Sequence, residues 1–313
     1  MRKSKILLVV LVLSLLANAG LGFIYFYHSH SGESKETKDL YKKYPYLSKR
    51  ILQDFPQDLL INFLALRRQL RSEALPYGNK FGFYFEYLPT GTSIGVNEKN
   101  EFHAASLFKV PVIIAYYHTK ERLGAKDQEI TLKEEFIDKD FGDLWRQGAG
   151  AKIKASEAVE LAMVDSDNTA AKALVPLVGE KDFEEVYQGL DIDVNSDDQG
   201  ALISAKAYAS ILKALYFSSL IDKNDSQHIL NLLTKTKFPD KLAAGVPTNV
   251  PVAHKIGDFV DDEGNEGYRD CGIVYVPRRP YLLCMFSIGT EQEARDRMSN
   301  FSRIIYDYVS RTN

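Results

Sequence analysis

Hydrophobic and polar positions follow different periods along the chain, and these periods predict helices and strands. Residues 6–27 form one uncharged, largely apolar run, and about 22 residues at roughly 1.5 Å each reach the thickness of a bilayer core. From 57 to 74 apolar residues recur at helical spacing, which predicts an amphipathic helix with a basic outer face. Residues 80–96 alternate aromatic and small side chains around a Pro-Thr-Gly turn, which predicts a hairpin.

The rest of the chain predicts helices first and strands afterwards. Helical periodicity begins near Ser106, spans 156–176 and spans 204–217, where Ser204 is the expected N-cap. Strand patterns follow over 252–259, 270–277 and 281–289, and a helix closes the chain over 291–311. We therefore expect an α+β fold, with an antiparallel sheet built from both ends of the chain and a helical subdomain between them.

Composition changes divide the chain into three predicted parts: a membrane anchor or signal segment (1–28), a polar linker (29–55) and a folded domain (56–313). Basic residues before the apolar run favour an outward-facing domain, although lysines also follow it. Ala17-Asn18-Ala19 has the small-residue pattern of a cleavage site. The sequence is therefore compatible with two locations: a single-pass protein of the cell membrane, or a secreted protein if the segment is cleaved.

The net charge, the histidines and the cysteines restrict the functions that the sequence can support. The net charge of −3, without a long basic block, gives no electrostatic footprint for nucleic acid. The six histidines are scattered, so neither a metal nor a cofactor is indicated. The two cysteines flank a predicted hairpin; if its turn is centred on Arg278-Arg279, Cys271 and Cys284 stand diagonally, which favours a buried thiol pair over a disulfide.

The stretch AASLFKVP, residues 104–111, carries the first candidate chemistry. Ser106 and Lys109 lie one helical turn apart, so hydroxyl and amine can share a proton. The apolar neighbours would bury the amine, which lowers the pKa of a lysine and lets it act as a base. A serine and a lysine at this spacing also occur by chance, so the pair needs partners elsewhere in the chain.

Two further motifs supply such partners. Ser166-Asp167-Asn168 lies at a predicted helix boundary, and Lys255-Ile256-Gly257 lies in a predicted strand, where a glycine would let substrate backbone approach. Taken in order, the three motifs resemble those of the penicillin-recognising serine acyltransferases, which include penicillin-binding proteins and class A β-lactamases. The resemblance covers roughly residues 57–313 and implies the β-lactamase/transpeptidase-like fold.

The resemblance also implies roles at one cleft. Ser106 would be the acylated nucleophile, Lys109 its base, and Ser166 the donor of a proton to the leaving amine. Asn168 would bind the substrate amide, Lys255 would add positive potential beside Gly257, and the N–H groups of Ser106 and Asp258 would form the oxyanion hole. Asp167 is expected to be a buried scaffold residue.

The sequence departs from the family pattern in two places. The glutamate that class A enzymes carry in their omega loop has no counterpart; Asp191, four residues before Asn195, is a possible substitute, or these residues form a solvated turn that caps the next helix. Ile256 stands where the family has a hydroxyl that binds the substrate carboxylate. Arg269 would either replace that lost interaction or lie exposed at a strand end.

Three hypotheses follow from these observations. The favoured one is a membrane-anchored, extracytoplasmic serine hydrolase that forms acyl-enzymes on D-Ala-D-Ala-type peptidoglycan peptides and on β-lactams. The second is a β-lactamase that uses Asp191 or a differently recruited water. The third is a non-catalytic muropeptide-binding or sensor module that keeps the cleft without turnover.

Overall fold

The computed structural model describes residues 14, 18, 20, 42, 43, 45, 46, 61–193 and 195–311, and the chain divides into two compact units, Met1–Pro45 and Tyr46–Asn313. In the first unit the described residues 14, 18, 20, 42 and 43 are helical. The predicted boundary at 56 and nearly all of the predicted anchor and linker lie outside the described residues. No helix within the described ranges combines the length and apolar character needed to cross a membrane.

A five-stranded antiparallel sheet organises the second unit. From one edge to the other its strands are β2 Thr92–Val96, β1 Phe81–Tyr87, β10 Tyr281–Ile288, β9 Glu266–Val274 and β8 Val252–Val260. Strand β1 pairs with β10, so the sheet is built from both ends of the domain, as the sequence predicts. Strand β8 lies at the edge of this sheet.

Two short sheets and eight α-helices complete the described part of this unit. The sheets combine β3 Glu101–His103 with β6 Asn195–Asp197 and β7 Gly200–Ser204, and β4 Glu129–Thr131 with β5 Lys152–Lys154. The helices are α1 Leu64–Ala74, α2 Lys109–Leu123, α3 Ala155–Val164, α4 Asn168–Leu174, α5 Glu180–Gln188, α6 Ala205–Phe217, α7 Lys223–Leu233 and α8 Glu291–Arg311.

Alternation along the strands gives the large sheet two apolar faces. Phe81, Phe83 and Phe85 pack with α1 and α8 in one core. Between them Tyr84 points to the opposite face, where it joins the core built by α2, α3, α6 and α7. Because successive side chains of a strand point to opposite faces, one sheet can separate two cores. This arrangement is the α+β fold expected from the sequence.

Several predicted boundaries are corrected by the structure. Of the helix predicted over 57–74, residues 57–60 lie outside the described residues, 61–63 are not helical, and α1 begins at Leu64, where the Asn62 side chain accepts the Leu64 N–H in a turn. Leu64, predicted on the apolar face, is 53% exposed. The helix predicted over 156–176 is two helices, α3 and α4, separated at 165–167.

The two cysteines also differ from expectation. Cys271 on β9 lies directly opposite Cys284 on β10, and the two are joined as a disulfide inside the core. The diagonal placement was wrong because the turn is centred between Pro277 and Arg278, one residue earlier than assumed. A directly opposite pair brings the sulfur atoms within bonding reach.

Candidate active site

Ser106 lies in a 3₁₀ turn, Ala105–Phe108, that leads straight into α2. The preceding residue, Ala105, has φ 47°, a left-handed conformation that costs energy for any residue but glycine. The first turn of a helix leaves backbone N–H groups without intrahelical acceptors, and the Ser106 N–H is among these. The turn therefore presents both a hydroxyl and a free N–H at one point.

Lys109 is the first residue of α2, and its amine is surrounded by oxygen atoms. Its Nζ lies 2.9 Å from Ser106 Oγ, 3.1 Å from Ser166 Oγ and 2.6 Å from Asn168 Oδ1, and it also donates to the Ser166 carbonyl. The residue is only 8% exposed. Burial lowers the pKa of Lys109 to about 7 against the opposing effect of Asp167, so the neutral amine is available near neutral pH.

Ser166 lies in the break between α3 and α4. Its φ of 56° is again left-handed, and this conformation ends α3 and turns the hydroxyl towards Lys109. Asp167 is fully buried and caps α4 by accepting the Ala170 N–H at 2.8 Å, and it also accepts the Leu144 N–H, from a separate turn, at 2.9 Å. Asp167 is therefore placed as a scaffold residue.

Lys255 reaches the same point from the edge strand β8. Its side chain is 0% exposed, and its Nζ donates to Ser166 Oγ at 2.7 Å. Burial, and then the nearby Lys109 amine, hold the pKa of Lys255 well below its ordinary value. Because Ser166 Oγ accepts from two amines, its own hydrogen is left to be donated elsewhere.

A cleft of about 390 Å³ opens beside these groups. Ser106, Lys109 and Asn168 line it, together with Asp258 and Phe259 from β8. Its other walls are Ala105, Phe108, Val112, Asp138, Asp140, Phe141, Ala171, Lys172 and Val175. The cleft thus joins the Ser106 hydroxyl, the Lys109 amine and a strand edge with largely apolar walls, which is the form expected of a small-molecule or peptide site.

The third motif contributes in ways the sequence did not fully reveal. A Cβ on Gly257 would lie 2.9 Å from the Ala104 carbonyl oxygen, so what approaches this glycine is the segment that carries Ser106. Ile256 is buried and is not part of the cleft wall. Burial raises the pKa of Asp258, whose Oδ1 lies 3.7 Å from Lys241 Nζ.

Arg269 is not an exposed strand-end residue, because it is only 3% exposed. Arg269 lies on β9, opposite Gly257 of β8, and its guanidinium is 5.7 Å from the centre of the Phe259 ring. Among the described residues, neither its Nε nor its Nη1 has a hydrogen-bond partner. Burial lowers the pKa of Arg269 to about 10, so the side chain stays charged at neutral pH.

The segment expected to replace the omega-loop glutamate lies elsewhere. Asp191 is exposed in a turn with φ 52° and is not part of the cleft wall. Asn195 does not cap a helix: it begins β6, whose hairpin with β7 pairs with β3, and its side chain donates to Glu101 at 2.7 Å. The carboxylates that line the cleft are those of Asp138, Asp140 and Asp258.

Asp138 and Lys172 are the cleft residues that sequence reasoning missed. Asn168 Nδ2 donates to Asp138 at 3.0 Å, and Lys172 Nζ donates to the other oxygen of the same carboxylate at 2.7 Å. Asp138 lies in a loop about 30 residues before its partner, so no local spacing marks it. Lys172 shares a helix face with Asn168, four residues earlier, which is the one signal that could have indicated it.

One group of side chains in the described residues has the spacing to hold a metal ion: His118, Asp182 and Glu185. The Asp182 carboxylate is already occupied by Arg122 at 2.6 and 2.8 Å and by Thr119 at 2.7 Å. Arg122 holds the pKa of Asp182 well below its usual range. A guanidinium in this position repels a cation, so the group is an ion pair that joins α2 to α5.

Comparison with known proteins concerns the family and the fold of the chain. Residues 65–309 match the model of the Beta-lactamase enzyme family. A mutant of PBP-A solved as an acyl-enzyme complex with penicillin G is similar in fold, with a TM-score of 0.70 and 21% identity over 78% of this chain and 95% of that one. None of the curated protein sequences compared with the chain matches it.

Two β-lactamase structures show the same likeness. The enzyme from Chitinophaga pinensis DSM 2588 has a TM-score of 0.70 and 21% identity over 78% of this chain and 98% of that one. The TLA-3 extended-spectrum β-lactamase has a TM-score of 0.73 and 17% identity over 80% of this chain and all of that one. At these identities the likeness establishes the fold alone.

Proposed function

The chain belongs to the β-lactamase enzyme family and is a serine hydrolase of the β-lactamase type, and we propose that it acts as a penicillin-binding protein-like enzyme. Its proposed reaction is the formation of an acyl-enzyme on D-Ala-D-Ala-type peptidoglycan peptides and on β-lactams. One observation carries the proposal: the Ser106 hydroxyl lies 2.9 Å from an amine whose pKa burial lowers to about 7.

Acylation begins with transfer of the Ser106 proton. Neutral Lys109 accepts this proton as Ser106 Oγ forms a bond to the carbonyl carbon of the substrate. The carbonyl oxygen then carries negative charge, which the N–H groups of Ser106 and Asp258 stabilise. The Ile256 carbonyl accepts from Lys255 Nζ at 3.3 Å, and because backbone directions alternate along a strand, the Asp258 N–H faces the same side of β8 as that carbonyl.

Breakdown of this intermediate requires a proton on the leaving nitrogen. Ser166 Oγ lies between the two amines, 3.1 Å from Lys109 and 2.7 Å from Lys255. Ser166 can donate its hydrogen to the leaving nitrogen and take back the proton that Lys109 accepted from Ser106. The proton balance closes: the C–N bond breaks, an ester to Ser106 forms, and Lys109 returns to its neutral form.

Slow release of the acyl group distinguishes the proposal from a β-lactamase. Asp138 is held by Lys172 and Asn168, and Asp258 has a carboxyl 3.7 Å from Lys241. Neither is arranged as a free base for water, Asp140 is a solvent-exposed residue of the cleft wall, and Asp191 is outside that wall. An ester without a placed water-activating base persists, as a penicillin-binding protein requires.

The substrate carboxylate has a candidate partner in Arg269. Ile256 cannot donate a hydrogen bond to it, whereas the Arg269 guanidinium lies behind Phe259, at the wall of the cleft, with two nitrogens unpartnered among the described residues. A buried guanidinium attracts carboxylates strongly because the local dielectric is low. We propose that the positive charge of Arg269 attracts the substrate carboxylate, which in the family is bound in part by a hydroxyl.

The proposed location follows from the sequence. The apolar run 6–27, preceded by Arg2, Lys3 and Lys5, supports an anchor with the enzyme outside the cell membrane. Protease treatment of intact cells should digest the Tyr46–Asn313 unit while a cytoplasmic marker survives. Protection of this unit, or recovery of the protein without residues 1–28 in the medium, would contradict the anchored location.

Labelling with a fluorescent penicillin tests the acylation step. We expect stoichiometric, covalent labelling of the full chain that survives denaturation, and no labelling of Ser106→Ala. The label should persist far longer than acylation takes. Absence of labelling in a folded wild-type protein, under conditions that label a control penicillin-binding protein, would refute the proposal.

A β-lactamase is the second candidate, favoured by the fold likeness to the Chitinophaga pinensis and TLA-3 enzymes. A chromogenic cephalosporin separates the two functions. We expect one equivalent to open in a burst without further turnover. Continuous turnover that Ser106→Ala abolishes would establish the β-lactamase instead.

A further inference from the structure

We propose that Asp138 is a positioning residue of this site: it holds the Asn168 amide so that its oxygen faces Lys109 while one N–H stays available to a ligand in the cleft. This inference rests on the proposed function, because it concerns the same acylation reaction. It assigns a role to a loop carboxylate that belongs to none of the three motifs.

The two ends of the Asn168 amide face different chemistry. Its Oδ1 lies 2.6 Å from Lys109 Nζ, and its Nδ2 lies 3.0 Å from Asp138 Oδ1. An ionised carboxylate can only accept hydrogen bonds, so the amide nitrogen must be the end that faces Asp138. That choice leaves the oxygen for Lys109 and one of the two Nδ2 hydrogens for the cleft, which Asn168 also lines.

Asp138 is itself held on several sides. Its backbone N–H donates to Thr169 Oγ1 at 3.0 Å, and the Thr169 hydroxyl donates back to its carbonyl at 3.0 Å. Its carboxylate accepts from Lys172 at 2.7 Å and from the Asp140 N–H at 3.1 Å. Although burial raises the pKa of Asp138, these bonds and the one from Asn168 bring it down to about 2, so it stays ionised.

Asp138 also contributes charge to Lys109. The negative charges of Asp167 and Asp138 raise the pKa of Lys109, Lys172 lowers it, and burial lowers it further. Lys255, packed against the same hydroxyl from β8, has its pKa held low by burial and by Lys109. Removing the Asp138 charge should therefore shift the titration of Lys109 to lower pH.

Asp138→Asn tests this role by removing the charge and allowing the Asn168 amide to turn over. We expect the second-order rate of acylation by a fluorescent penicillin to fall about 10- to 100-fold, the usual range for a hydrogen bond to a charged group. The midpoint of its pH profile should move to lower pH. Asp143→Asn, an identical change at an exposed site of the same loop, should leave rate and midpoint unchanged.

Two further variants separate position from charge. Asp138→Glu keeps the charge but moves the accepting oxygen, so the rate should fall while the midpoint stays near the wild-type value. Lys172→Gln removes a positive charge, so the midpoint should move to higher pH, opposite to Asp138→Asn. A merely structural role would lower the rate without moving the midpoint in these two directions.

Direct titration of Lys109 keeps the test independent of the proposed function. In lysine-labelled protein followed by NMR, the pKa of Lys109 should be lower in Asp138→Asn than in the wild type, even if penicillin fails to acylate either protein. An unchanged pKa and an unchanged acylation rate would overturn the inference. Normal acylation with slowed release of the acyl group would also overturn it, because Asp138 would then act on the water.

Discussion

Burying a lysine for use as a base should cost folding stability, and this cost should depend on pH. The pKa of Lys109 is lowered from 10.5 to about 7, mainly by burial. An unfolded chain binds this proton up to about pH 10.5, whereas the folded protein releases it near pH 7. Between these values the unfolded state holds more protons, so the stability of the folded state rises with pH.

The size of the effect follows from linkage. With these two pKa values the shift destabilises the folded state by about 4 kcal/mol at pH 7 and by about 2 kcal/mol at pH 9. Lys109→Met removes this dependence. The variant also leaves Asn168 Oδ1 and the Ser166 carbonyl without the amine, a cost of about 1–3 kcal/mol each that does not change with pH.

Urea denaturation followed by the fluorescence of Trp145, the single tryptophan, measures both proteins. From pH 7 to pH 9 the free energy of unfolding of the wild type should rise by about 2 kcal/mol relative to Lys109→Met. Lys255 is present in both proteins, so its contribution largely cancels. A difference between the two proteins that stays constant from pH 7 to pH 9 would refute the lowered pKa and the base role built on it.

Three further predictions concern the cleft and its support. Acylation of the wild type by penicillin, measured by stopped-flow, should rise about tenfold from pH 6 to pH 8 as Lys109 loses its proton; a flat profile would exclude Lys109 as the base. Arg269→Met should lower the acylation rate by roughly tenfold or more. In urea denaturation its free energy of unfolding should equal that of the wild type or be about 1–4 kcal/mol higher, because a buried charge without a partner among the described residues is removed. Reduced stability with unchanged acylation would contradict this prediction. Gly142→Ala should lower the melting temperature far more than Gly148→Ala, since both have positive φ but only the Cβ at 142 would collide with Asp167, at 2.0 Å; equal losses would contradict the predicted collision.

Much of the fold follows from the sequence because the apolar periods are strong where the sheet forms. The aromatic alternation of β1 and the three strands at the chain end predict the large sheet, and the antiparallel pairing of β1 with β10 agrees with a sheet built from both ends. Boundaries were less accurate where polar side chains compete with the helix. The Asn62 side chain stabilises a turn just before α1, and the left-handed Ser166 divides a single predicted helix into α3 and α4.

The candidate site was only partly accessible from sequence. Motif spacing indicates Ser106, Lys109 and Ser166. Helix geometry places Ser106 and Lys109 one turn apart, and the family resemblance places Ser166 beside them. Burial of Arg269 could not be inferred, since its exposure depends on how the neighbouring strand β8, with Phe259, packs against it. Asp138 carries no local pattern either, because its partner is brought to it by the tertiary fold.

In the proposed reaction penicillin acylates Ser106 while the neutral Lys109 amine accepts the serine proton. Mass spectrometry of the proteolysed protein after incubation with penicillin tests it most directly. We expect a single penicilloyl adduct on the peptide that contains Ser106, formed faster at pH 8 than at pH 6. An adduct on another residue, or no adduct on a protein shown to be folded, would contradict it.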